Sequence, residues 1–115
     1  MFTRTPTSLT TKILELCHEL NPSGQPVFIR ITPDPGAELN DCFATVQRKV
    51  SAEGGRIQFG WAIWEWPNVL AEAEHHAVYE PPAGLPWADL SPLLFKGSPT
   101  VCSCQTILRR TTFRT

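Results

Sequence analysis

The chain lacks any uninterrupted apolar run near the ~18 residues a membrane-spanning helix needs. Its first stretch, MFTRTPTSLTTKILELC, is broken by Lys12 and Glu15 before it can form the apolar centre of a secretory signal. The expectation is therefore a cytoplasmic protein with no membrane partner, in a compartment where thiols stay reduced. Paired cysteine motifs are missing too. Cys17, Cys42, Cys102 and Cys104 contain no C-x-x-C unit of the kind that builds a zinc ribbon. An excess of one charge is also absent. With 10 Lys+Arg against 11 Asp+Glu and a net charge of -1, the molecule offers no general attraction for nucleic acid. The local exception is a tail carrying Arg109, Arg110 and Arg114, which reads as a frayed, solvated terminus over 109–115. There is no internal repeat and no low-complexity segment.

What is present describes a folded domain. A chain of 115 residues that is 42% hydrophobic and 18% charged has the composition of a globular protein, sized for one core. We read 1–115 as a single compact domain. Leu9, Ile13, Leu16, Cys17 and Leu20 recur at helical spacing behind Thr7 or Ser8, which predicts an amphipathic helix over 8–20. Cys17 lies on its apolar stripe and reads as core. Val27 to Ile31 is a β-prone run, stopped by Thr32-Pro33-Asp34-Pro35-Gly36. In the stretch NDCFATV, Asn40 or Asp41 can cap a second helix over 41–52, which Gly54-Gly55 ends.

After those glycines the pattern turns to strands. Residues 57–66 carry bulk on both parities, Pro67-Asn68 breaks the run, and 69–79 returns as the antiparallel arm of a hairpin. Alternation puts Glu72, Glu74, His76 and Val78 on one face and His75, Ala77 and Tyr79 on the other. Short strands follow over 87–90 and 100–108. Helices segregated before a run of strands predict an α+β fold, with the N-terminal helices packed on one face of an antiparallel sheet.

On that skeleton three residues can carry chemistry. Cys42 begins a helix, where partial positive charge and unpaired N–H groups favour a thiolate. His76, on a strand that can face it, can take the thiol proton, and Asp89 on a later strand can orient the imidazole. His75, Glu74 and Asn40 are alternates for these roles. The N–H groups at the helix start can stabilise an oxyanion.

Cysteine at a helix start followed by histidine and a polar residue on successive strands resembles the core of papain-like thiol hydrolases. The compact bacterial branch that includes the NlpC/P60 amidases is nearest in size and residue order. GWAIWEWPNVLAEAEHHAVYEPPAGLPWADLSP is also similar to a "GW-IWE…EAE-HAVW…G…D-TP" pattern of small bacterial proteins. The resemblance spans about 42–92. It implies a papain-like core, a peptide or protein amide as substrate, and no cofactor or metal. It makes Cys42 the nucleophile, His76 the base and Asp89 the orienting group. The upstream glutamine of papain-type sites has no match; Asn40 or Glu38 lie nearby instead. The small residues that flank the nucleophile in NlpC/P60 amidases are missing as well.

Each residue also has an ordinary structural reading. Cys42 can be core packing, His76 a hydrogen-bonded core histidine, and Asp89 the cap of a turn at Leu90-Ser91-Pro92. Trp61, Trp64 and Trp66 can fill the core or wall a substrate groove. These alternatives give a second function, a non-catalytic interaction module built on the Trp-rich hairpin. A third is a metal site that joins His75 and His76 to Cys102 and Cys104.

Overall fold

The computed structural model describes residues 4–38, 41–92 and 100–105. Its elements in chain order are helix α1 (Thr11–Leu20), strand β1 (Val27–Ile31), helix α2 (Cys42–Glu53), strands β2 (Arg56–Trp66) and β3 (Leu70–Glu80), a 3-10 turn at Pro82–Gly84, and strands β4 (Ala88–Asp89) and β5 (Thr100–Gln105). The β2–β3 hairpin is the largest piece. It pairs continuously from Arg56↔Glu80 to Trp66↔Leu70. Its turn is short because Asn68 takes a left-handed conformation (φ 65°), and the Val69 N–H donates to the Trp66 carbonyl at 2.9 Å.

Strand β5 lies antiparallel to β2 on one side and to β1 on the other. The short β4 runs parallel to β1 and meets β3 at Tyr79↔Ala88. Together these pairings close a five-stranded barrel in the order β1-β4-β3-β2-β5. The expected α+β arrangement, with helices on one face of an open antiparallel sheet and a papain-like core, is thereby overturned. Its physical cause is β5, which bonds along both edges, and Ala88–Asp89, which links β1 to β3. An open sheet would leave those edges unpaired.

Closure also explains why β2 carries bulk on both faces. Inward, Ala62 joins Ile29, Val78 and Val101, with Trp64, Trp87 and Ile31 packed against them. Outward, Ile63 meets Ile13 and Cys17 of α1 together with Cys102 and Cys104. Helix α2 covers a different patch of wall, where Val46 packs with Ala77, Tyr79 and Leu90. Each helix buries one stripe against the outside of the barrel, which supplies most of what holds a short helix in place.

The helix limits follow local chemistry. Helix α1 starts at Thr11, later than Thr7 or Ser8 would place it, because Thr10 is the cap and its hydroxyl accepts from the Ile13 N–H at 3.4 Å. Helix α2 ends as expected at the glycines. Gly54 (φ 83°) donates its N–H to the Val50 carbonyl at 2.8 Å. Among the described residues no helix is long and apolar enough to cross a membrane. The arginine-bearing tail and the end of the expected last strand, 106–108, lie outside the described residues.

Candidate active site

Strand alternation sends His76 to the inward side of β3, the side of Val78, while Asp89 stands on the strand that closes the barrel. The two meet: His76 Nε2–H donates to Asp89 Oδ2 at 2.8 Å. Both side chains are sheltered, with 14% and 3% of their surface exposed. The other carboxylate oxygen, Oδ1, accepts the Ser91 N–H at 2.9 Å. The Asp89 carbonyl accepts the Thr32 N–H at 2.7 Å, which fastens this short strand to the chain after β1. Asp89 therefore caps its turn and orients the histidine at once, one oxygen for each task.

Cys42 completes the group. It is the first residue of α2, half-buried, and it packs against the cluster that holds α2 on β3. Its thiol lies near enough to the His76 imidazole to help hold the ring's proton. Because Nε2 is committed to Asp89, Nδ1 is the nitrogen left to face the thiol. The carboxylate thus fixes the tautomer and orientation of the ring. Asp41 is the N-cap of α2 by position, but its side chain makes no capping hydrogen bond. The first-turn N–H groups beside Cys42 have no acceptor within the helix.

The electrostatics follow from burial and pairing. Burial opposes a charged His76, but the hydrogen bond to Asp89 and then the contact with the Cys42 sulfur outweigh it and lift the imidazole to about 10. For Asp89, burial pushes the carboxyl up. The His76 hydrogen bond and charge, helped by the Ser91 N–H, hold it below its ordinary 3.8. At neutral pH the pair is an imidazolium beside a carboxylate.

The other expected site residues go elsewhere. The His75 ring lies outside, 5.4 Å from Phe43 and 4.9 Å from Trp61. Glu74 shares the His76 face, and its Oε1 accepts from Trp64 Nε1 at 3.3 Å. The tryptophans do not form one wall. Trp61 packs into the α1 cluster on the outer face, whereas Trp64 belongs to the inward cluster. Trp66, at the hairpin end on the parity of Trp64, is 36% exposed. Asn40 lies outside the described residues.

Cys102 and Cys104 are buried on the outer face beside Cys17, apart from the His76 cluster. Among the described residues no group of at least 3 His, Cys, Asp or Glu is placed to hold a metal. Burial pushes the Cys17 thiol up to about 12 and the Cys102 thiol up to about 11, so both remain protonated packing groups. The Ser91 N–H was legible in the Asp-Leu-Ser spacing, which suits a side-chain-closed turn. Thr45, one turn behind Cys42, is buried, and among the described residues its hydroxyl has no hydrogen-bond partner. Comparison of the chain with family models, curated proteins and solved structures finds no match to any of them.

Proposed function

We propose that the chain is a cysteine-dependent hydrolase or acyl transferase acting on an amide bond, in the manner of a peptidase, amidase, deamidase or transglutaminase. Cys42 is the nucleophile, His76 the proton carrier and Asp89 the group that orients it. The observation that carries this reading is the sheltered His76–Asp89 pair, joined at 2.8 Å, with Cys42 set beside that strand at the start of α2.

The chemistry runs in two halves. The Cys42 thiolate attacks the carbonyl carbon, a C–S bond forms, and the carbonyl π electrons move to oxygen. The first-turn N–H groups of α2 are suited to stabilise that oxyanion. As the oxyanion collapses, the C–N bond breaks and the His76 imidazolium gives its proton to the departing nitrogen. A thioester on Cys42 and a neutral imidazole result. Water, or a second amine in a transfer reaction, then attacks the thioester while His76 takes its proton. The C–S bond breaks, and the thiolate–imidazolium pair is restored.

Intact-mass analysis after exposure to a small activated ester such as p-nitrophenyl acetate tests the reading. It predicts an acetyl thioester confined to Cys42, formed at a rate that drops in His76→Ala. A chain that acquires no acyl group on Cys42 rejects it.

One feature favours the second reading, a non-catalytic interaction module. Trp66 and Val69 are exposed together at the hairpin tip, at 36% and 50%. In that case Cys42→Ser retains full function, and tip substitutions such as Trp66→Ser remove it.

A further inference from the structure

We infer that the free edge of β3 is a docking strand: the substrate is an extended polypeptide segment that adds to residues 70–78 as a further strand and places a basic side chain, two residues from the attacked carbonyl, against Glu74. This rests on the proposed role of Cys42 and names the substrate class for that same site.

The first support is the pairing pattern. β3 is paired to β2 at every residue from Leu70 to Glu80, yet it meets β4 only at Tyr79. Among the described residues no other strand or isolated bridge lies against it. Among the described residues one row of backbone N–H and C=O groups on residues 70–78 therefore has no strand partner. Such an edge binds an extended chain through main-chain hydrogen bonds.

The second support is where Cys42 stands. Consecutive strand residues face opposite sides, so Ala77 points outward and His76 inward. Cys42 packs against the outer cluster that contains Ala77, yet its sulfur reaches His76. One side chain touches both faces only by passing round the edge of the strand. β2 occupies one edge, so Cys42 stands at the other. A chain added there carries its backbone past the sulfur.

The third support is charge. On the face of His76 the strand presents Glu74 and then Glu72, both exposed, and among the described residues neither forms an ion pair. Among the described residues Glu74 accepts from the Trp64 N–H with one oxygen, and a carboxylate has capacity for further donors. An added strand lies about 4.8 Å away with a side-chain period of two. If one carbonyl is at Cys42, the side chain two residues along meets Glu74 and the next in that row meets Glu72. Lysine or arginine is favoured there and an acidic residue is repelled.

The test uses a pool of short fluorescent peptides with one fixed lysine, titrated against the Cys42→Ala chain and, as a second form, Cys42→Ser. Binding thus reads docking without turnover. Two further pools carry backbone N-methyl groups on alternate residues, one pool for each parity. Strand addition predicts that one methylated parity loses binding at least about tenfold while the other binds like the parent. Glutamate in place of the fixed lysine weakens binding by a similar factor. Absence of binding to both variants, or binding indifferent to methylation at either parity, overturns the inference, as does indifference to the lysine. The p-nitrophenyl acetate assay on the unaltered chain separates the two claims. Parity-dependent binding without acylation of Cys42 leaves the docking strand standing and removes the reaction. Acylation with parity-independent binding does the reverse.

Discussion

His76 and Asp89 are joined at 2.8 Å, Nε2 to Oδ2, across strands that otherwise meet at the one pair Tyr79↔Ala88. The contact thus belongs both to the site and to the closure of the barrel, and substitutions there should act on activity and stability together. Removing one partner of a sheltered ion pair leaves the other charge uncompensated, at a cost of about 3–5 kcal/mol. Asp89→Ala should show a loss of that order in urea unfolding, with Cys42 acylation reduced at least ~100-fold. Asp89→Asn, which can still accept the Ser91 N–H, should recover much of the stability but little of the rate.

The same pair sets a pH window. The His76 value is raised from 6.5 to about 10, so its stabilisation is complete below 6.5 and is lost as pH climbs to about 10. Asp89 is lowered from 3.8, so its stabilisation is complete above 3.8 and is lost as pH falls through the depressed folded-state value. Unfolding free energy measured against pH should be highest between 3.8 and 6.5 as far as this pair is concerned. In His76→Ala the alkaline decline above 6.5 should flatten.

Thiol accessibility follows from burial. Cys17, Cys102 and Cys104 are each 0% exposed, whereas Cys42 is half-buried. A thiol-reactive dye added to the folded protein should modify Cys42 alone, and the other cysteines only after denaturant is added. Labelling of Cys17 at the Cys42 rate would mean that α1 does not stay docked on the barrel.

Gly55 supports the hairpin from behind. It sits at φ 94°, and a Cβ there would collide with the Glu80 carbonyl oxygen and crowd the Tyr79 ring. Tyr79 in turn donates its hydroxyl hydrogen to the Gly54 carbonyl at 2.7 Å. Gly55→Ala should therefore cost roughly 1–3 kcal/mol, read as a fall in Tm. Gly54→Ala meets no atom within 4 Å and pays only for its backbone angle, so its loss should be smaller.

Local patterns in the sequence made several of these elements legible. The 3.6-residue stripe of Ile13 and Cys17, the Gly54-Gly55 stop, and the alternation that separates His76 from Ala77 each depend on neighbours in the chain. Barrel closure was not legible. It depends on β5 pairing with β1 and β2, and on Ala88–Asp89 running parallel to β1, contacts between segments far apart in sequence. The tryptophans show the same limit. Parity puts Trp61 opposite Trp64, but only closure decides which face is interior and which is covered by α1. The surroundings of His75 and His76 likewise depend on tertiary contacts, since Phe43 and Trp61 flank one ring and Asp89 holds the other.

The proposed function stands or falls on Cys42 acting as a nucleophile assisted by His76. The most direct measurement is the rate of iodoacetamide alkylation of Cys42 against pH, in the native chain and in His76→Ala, with glutathione as the free-thiol standard. Native Cys42 should be alkylated faster than glutathione under the same conditions. His76→Ala should return it to the glutathione profile. Alkylation that follows glutathione in both chains across the whole range would contradict the account and leave Cys42 a packing residue at the start of α2.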